Sequence, residues 1–390
     1  MGVSHDRMYL HLETFRKAIA TALFHRPFRI RRWGLVLGLA VLFLLFWSFL
    51  ALGRILDDLL FRAWRSQPIT APVFIVATPR SGTTFLQRLL SLDEERFKPL
   101  LLHEMIFSAV VWQRTIHVLA ALDRFLGRPG GRTVDFVGRF FFGNWDDRHF
   151  IRLDLPEEDE GLYIFTLVTE ATYLLCPYYE ELPPIGFTDA LPEHEADRLV
   201  TFFRQSVQRL LFANGPQHTV LTKGTCSLGR IRALQRSFPD ARFIHLVRHP
   251  AEAIPSHVSM FHSTWMVHSP EIRKVSPETR ACAELVASWY RHMLVEAPAI
   301  PEARYVRIMY DDLVADPRRT VEGIYDHFGL TIGRAFSAKL DLAVTEAKSY
   351  RSRHQYTLAE YGLDEVWLKD QLGTVLEAYS YPARTTEPSH

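Results

Sequence analysis

Cysteine, lysine and asparagine are all scarce in this 390-residue chain, at three, seven and two residues, and each scarcity removes a class of protein. Cys176, Cys226 and Cys282 are odd in number and widely spaced, which fits neither a disulfide framework nor a zinc ribbon. Each reads as a small buried hydrophobe. Neither Asn144 nor Asn214 opens an N-x-[ST] acceptor, so nothing points to passage through a glycosylating compartment. With so little lysine, 38 of the 45 basic residues are arginine, a bias that suggests GC-rich coding and a bacterial source. The net charge of +1 supplies no concentrated basic face for long nucleic acid, so any anion site must be local. No HExxH or GxSxG motif occurs, which leaves zincin and serine-hydrolase readings unsupported. His245, His249, His257 and His262 straddle a strand, a turn and a helix with no cysteine partner, so no metal site is expected.

What the chain does have is one long apolar run. Residues 33–53 read WGLVLGLAVLFLLFWSFLALG without a charge, long enough as a helix for a hydrocarbon layer of roughly 30 Å. Arg31, Arg32 and Arg54 bracket it. The run is too long and starts too late for a cleaved signal peptide. Four arginines at 18–32 face three at 54–68, so the positive-inside rule does not orient it. The short amphipathic flanks also admit a segment lying in one leaflet. Membrane association is expected, with the folded domain on the cytoplasmic face and the topology left open.

The remainder divides into an amphipathic segment 1–32, the membrane helix 33–53, a linker 54–72, a domain 73–380 and a tail 381–390. An aromatic-rich insertion at about 103–215 includes a helical pattern at 202–212 and is assigned to the acceptor side. The apolar run Val73–Ala77 reads as a buried strand, and further strands are expected at 219–222, Arg242–Val247 and Tyr305–Met309, each followed by helical spacing. That alternation predicts an α/β fold, a three-layer sandwich around a central parallel sheet.

The strongest local pattern is TPRSGTTFLQRLL, directly after the first strand. A glycine-containing loop feeding a helix N-terminus presents backbone amides and the helix dipole to an anion. The ATP-binding form GxxxxGK[ST] needs a lysine beside the hydroxyl residue; here Arg80 stands at the front of the loop instead. About 170 residues on, RFIHLVRHPAEAIPSHVSM ends a strand at Arg248 and places Ser256 eight residues later, one to two turns into a helix. Charge from the first and hydroxyl from the second can meet on one phosphate.

Arg80, Ser81, Gly82, Thr83 and Thr84 resemble the 5′-phosphosulfate loop of the sulfotransferases, particularly the bacterial and tyrosylprotein branches that use arginine where cytosolic members use lysine. Arg248 and Ser256 are similar to the pair that holds the donor's 3′-phosphate, with His249 where the family usually has aspartate. LTKGTCSLGRIRALQRSFPDARFIHLVR and IMYDDLVADPRRTVEGIYDHFGL extend the likeness and align Lys223 and Tyr310 as donor contacts. SYRSRHQYTLAEYGL resembles the segment that closes over the nucleotide, making Arg351, Ser352 and His354 candidates. The resemblance spans about 73–365 and implies a nucleotide-binding fold like that of the P-loop NTPases. It also implies 3′-phosphoadenosine 5′-phosphosulfate as donor, no metal, and sulfuryl transfer to a hydroxyl or amine.

Sulfuryl transfer needs a held donor, neutralised charge on the departing phosphate and a base for the acceptor proton. Arg80 and the loop amides are expected to supply the first two. Glu104 is the expected base, from its place 24 residues after Arg80, with His103 as rival. His149 and the acidic run Glu157 to Glu160 are candidate acceptor contacts, against the alternative of a solvated face. The membrane segment and the aromatics suggest a lipid or other amphiphile as acceptor, with no nucleic-acid partner. The rivals are a kinase or NTPase using Mg-ATP, and a membrane protein that binds nucleotide without turnover.

Overall fold

Five parallel strands make one sheet in the order β2-β3-β1-β4-β5. They are β1 (Val73–Ala77), β2 (Phe97–Pro99), β3 (Thr219–Gly224), β4 (Arg242–Val247) and β5 (Tyr305–Met309). The computed structural model describes residues 8–24, 30–131, 153–224, 226–347 and 356–381. β1 is apolar at every position because both of its faces are covered. Phe74 and Val76 enter the larger core cluster, while Val73, Ile75 and Ala77 enter a second cluster on the opposite face. This is the three-layer α/β sandwich expected from the sequence.

The helices that position the site are α1 (Leu12–Phe24), α2 (Ile30–Leu60), α3 (Thr83–Leu90), α4 (Leu102–Ile106) and α5 (Val110–Phe125), then α6 (Glu193–Asn214), α7 (Pro250–His268), α8 (Pro277–Glu296), α9 (Tyr310–Ala315) and α10 (Glu365–Tyr379). α6 covers the first face: Phe203 lies 6.2 Å from the Phe74 ring and stacks at 5.3 Å on Tyr163. Leu86, Leu89 and Leu90 of α3 fill the second. Register sets Val73 opposite both Leu221 and Arg242, so the C-terminal ends of β1, β3 and β4 finish along one edge. In open α/β sheets this is the edge where ligands bind.

Three features differ in extent from the sequence reading. β3 continues past 222 to Gly224, and β2 is an edge strand of three residues whose lysine and proline hide it from any apolar pattern. α2 runs beyond 53 because Arg54 and Asp57 turn inward onto α6. Arg54 Nη1 donates to Ser206 Oγ at 2.9 Å, and Arg209 Nε donates to Asp57 Oδ2 at 3.0 Å. The same Asp57 carboxylate accepts the Val110 and Val111 amides, both at 2.8 Å, and so caps α5.

Candidate active site

The loop Thr78 to Gly82 leaves β1 at that edge and opens α3. Its backbone turns through two left-handed residues, Arg80 at φ 64° and Gly82 at φ 84°. For arginine this conformation costs on the order of 1 kcal/mol, so the surroundings must hold it. Arg248 does part of this, with Nη1 donating to the Arg80 carbonyl at 2.5 Å. The Thr78 hydroxyl donates to Tyr290 OH at 2.9 Å, and Tyr290 OH donates to the Arg248 carbonyl at 2.7 Å. A two-step hydroxyl relay therefore ties the end of β1 to the end of β4 through α8. Gly82 is needed for room as well as for φ, because a Cβ there would stand 2.9 Å from the Tyr310 ring.

The side chains of the two phosphate-like motifs meet. Arg80 Nε donates to Ser256 Oγ at 3.3 Å, across 176 residues of sequence. The Arg248 guanidinium lies 4.5 Å from the centre of the Tyr310 ring and donates to Glu252 at 3.0 Å. Lys223, at the end of β3, is fully buried; its ammonium donates to Thr84 Oγ1 at 2.6 Å and lies 3.5 Å from Glu158 Oε1. Ser81 faces Thr78 at 3.1 Å. Three cations, the hydroxyls of Thr84 and Ser256 and the free amides at the start of α3 thus surround one end of the sheet. The charge and donor set suits a ligand with two separated phosphate-type groups.

A model of the sulfotransferase family matches residues 72–334, which takes in every strand and both motifs. The chain belongs to the sulfotransferase family. The enzyme is 25% identical over 329 residues to omega-hydroxy-beta-dihydromenaquinone-9 sulfotransferase Stf3 of Mycobacterium bovis and of Mycobacterium tuberculosis, covering 82% of this chain and 77% of each relative. Sulfotransferase STF9 from Mycobacterium avium shares its fold at a TM-score of 0.72 and 16% identity, over 95% of this chain and 93% of that one. Sulfotransferase STF1 from Mycobacterium tuberculosis H37Rv does so at 0.64 and 20%, over 93% and 92%. The family generally takes its sulfuryl group from 3′-phosphoadenosine 5′-phosphosulfate.

Elsewhere in the sulfotransferase the expected residues scatter. Glu104 is buried, and Leu101 N donates to its Oε2 at 3.1 Å. Its Oε1 accepts from Lys98 Nζ and Asn214 Nδ2, both at 2.8 Å. These contacts tie α4 to β2 and to the end of α6. His103 is held by the Leu153 carbonyl at 2.7 Å. His149 and Arg351, with Ser352 and His354, lie outside the described residues.

The acidic run has divided roles. It crosses from β2 to β3, where Glu157 N donates to the Leu100 carbonyl at 3.1 Å and Asp159 N to the Lys223 carbonyl at 2.8 Å. Glu160 points inward to Arg230 at 2.7 Å, and burial pushes Asp159 up to about 8 against the pull of the same arginine. Glu158 instead faces the Lys223 ammonium at 3.5 Å and keeps 23% of its side chain exposed. His257, one residue after Ser256, is fully buried with Nε2 3.5 Å from Glu170 Oε2. Burial, then the Arg80 charge, lowers its pKa to about 3, so the imidazole is neutral at pH 7. The sequence marks Glu158 only as one member of the acidic run and His257 only among histidines that make no metal site; the folded sheet sets them beside Lys223 and Arg80.

Proposed function

We propose that the enzyme moves the sulfuryl group of 3′-phosphoadenosine 5′-phosphosulfate to a hydroxyl of a lipid or other amphiphile, without a metal. The observation that carries this is the meeting of Arg80 with Ser256, beside Arg248 and the Lys223 to Thr84 bond. Arg80, the hydroxyls of Ser81, Thr83 and Thr84, and the α3 amides would hold the phosphosulfate. Arg248 and Ser256 would hold the 3′-phosphate, and Tyr310 would flank Arg248. Arg351 joins them by resemblance. Lys223 would meet the negative charge that grows on the bridging oxygen as its bond to sulfur breaks.

For the acceptor proton, geometry favours Glu158 over Glu104. Both Glu104 oxygens are committed to Lys98, Asn214 and the Leu101 amide, whereas Glu158 stands at the Lys223 ammonium. Glu158 would take the proton as the acceptor oxygen bonds to sulfur, leaving a sulfate ester and 3′-phosphoadenosine 5′-phosphate. Glu157 and His103 stay candidates for acceptor contacts at the rim, while Glu160 would brace the run through Arg230. A lipid acceptor is supported by the hydroxylated quinone named for the mycobacterial relatives and by the apolar helix Val36–Leu60.

The test is transfer itself: purified full-length enzyme, the donor, and a hydroxylated prenylquinone, with product followed by mass spectrometry. Gain of one SO3 unit without added Mg²⁺ supports the reading. Sulfation of a small water-soluble alcohol in preference to the prenylquinone would remove the lipid acceptor, and phosphorylation from Mg-ATP would favour the kinase alternative.

A further inference from the structure

α2 meets the length and composition for crossing a membrane, yet both ends of the N-terminal hairpin rest on the same helix of the catalytic domain. Ahead of α1, His11 Nε2 lies 3.1 Å from Glu195 Oε2, the Arg198 guanidinium is 4.9 Å from the Tyr9 ring centre, and His11 N donates to the Thr166 carbonyl at 3.0 Å. At the far end of α2, Arg54 and Asp57 pair with Ser206 and Arg209. Glu195, Arg198, Ser206 and Arg209 all belong to α6. Between these anchors α1 and α2 run side by side in opposite directions, with Phe15 stacked on Phe43 at 6.0 Å and Phe24 against Trp33 at 5.4 Å. A helix that crossed the bilayer once would leave residues 9–11 on the side away from α6.

Length and charge agree with a hairpin that does not cross. Phe46 already packs on Phe165 and Phe107 of the domain, so the stretch from Trp33 to Phe46 free of it measures about 20 Å at 1.5 Å per residue. The hydrocarbon layer is roughly 30 Å thick. Exposed leucines and Val41 surround α2 between Leu37 and Leu45, and along one side Leu37, Val41, Leu45, Leu52, Ile55 and Leu59 form a continuous stripe, each between 47% and 65% exposed. The stripe continues past the point where α2 docks, and over that docked part Arg54 and Asp57 are turned to the opposite face. A spanning helix would need apolar surface only where it leaves the domain. An unbroken outer stripe suits a helix lying along a membrane surface. α5, tied to α2 by Asp57 and by the 4.2 Å stack of Phe49 on Trp112, adds exposed Leu122 and Phe125.

We infer that α1 and α2 form a monotopic hairpin, seated in one leaflet along the outer stripe of α2, with the chain before α1 and the catalytic domain on the same side of the bilayer. Arg16 and Lys17, on the polar part of α1, stay at headgroup level.

The test uses the full-length enzyme in spheroplasts and in inverted vesicles of the expressing bacterium. Single cysteines at Arg16→Cys and Ala63→Cys are labelled with a membrane-impermeant maleimide, read over the unsubstituted chain, whose Cys176 and Cys282 are buried. Both sites should label in one preparation and both should be shielded in the other; labelling in opposite preparations overturns the hairpin. In phosphatidylethanolamine and phosphatidylglycerol vesicles, a bimane on Val41→Cys should be quenched more by nitroxides high on the acyl chain than by those at its end. The reverse order would mean a crossing helix, and no quenching by either would mean that protein covers the stripe; each contradicts the proposal. Neither readout depends on catalysis, so its failure is separable from failure of the transferase reading.

Discussion

The Lys223 ammonium donates to Thr84 Oγ1 at 2.6 Å, joining the end of β3 to the first turn of α3. The bond places a fully buried cation beside the helix N-terminus at which the donor's sulfur is expected, with Glu158 as its carboxylate neighbour.

Lys223→Met keeps the length of the side chain and removes the charge. Loss of one preorganised charge or donor aimed at a developing oxyanion costs roughly 100- to 1,000-fold in kcat. The expected result is a fall of that size with donor affinity changed far less, read by single-turnover sulfation alongside calorimetric binding. An equal loss in both would make Lys223 a binding residue alone.

Glu158→Gln should lower kcat by about 100- to 10,000-fold, the range of a positioned base, with donor affinity nearly unchanged. Glu104→Gln should instead lower Tm, since it weakens the ties to Lys98 and Asn214, and change kcat only a few-fold. If Glu104→Gln lowered kcat by that larger amount with Tm unchanged, the base role would return to Glu104.

Gly82→Ala forces a side chain into a left-handed residue and against the Tyr310 ring. The backbone part alone costs about 1–2 kcal/mol, and the contact shifts Tyr310 away from Arg248. Lower Tm together with weaker donor binding is expected. Tyr310→Ala should relieve the crowding but not the φ strain, so the double variant should regain part of the lost Tm; no regain would show that the ring contact is immaterial.

His245 and His257 are both held near 3 from an ordinary 6.5, chiefly by burial. Below pH 6.5 the unfolded chain takes up protons that the folded chain refuses, so both histidines stabilise at neutral pH and that stability is lost as pH falls toward 3. Each contributes a slope of ~1.4 kcal/mol per pH unit over that window. His245→Gln should flatten the decline of Tm between pH 6.5 and 4.5, roughly the upper half of the window. Parallel Tm curves for variant and parent would contradict the buried neutral imidazole.

The parts legible in the sequence are those where one local pattern meets one demand. Val73–Ala77 was readable to the residue because a strand covered on both faces is a continuous apolar run, and Arg242–Val247 and Tyr305–Met309 were readable because β-branched and other apolar residues dominate them despite Arg242, His245 and Arg307. The loop with Arg80 and Gly82 was readable because turn and anion chemistry sit in adjacent residues. Phe97–Pro99 was not, since a three-residue edge strand carries no periodicity. α6 begins at Glu193, well before the apolar pattern at 202, because its first turns are largely polar. Arg54 and Asp57 look like the end of an apolar run, and only their partners on α6 reveal that α2 continues. Glu158 resembles its acidic neighbours in sequence; the register of the run against β3 separates it from Asp159 and Glu160.

The most direct measurement is calorimetric titration of the full-length enzyme with 3′-phosphoadenosine 5′-phosphate, beside ATP with Mg²⁺, repeated with Arg80→Ala and Arg248→Ala. Saturable binding of the bisphosphate, weakened by either substitution and unmatched by Mg-ATP, is the predicted result. Tighter binding of Mg-ATP, or bisphosphate binding that ignores both arginines, would contradict the donor site.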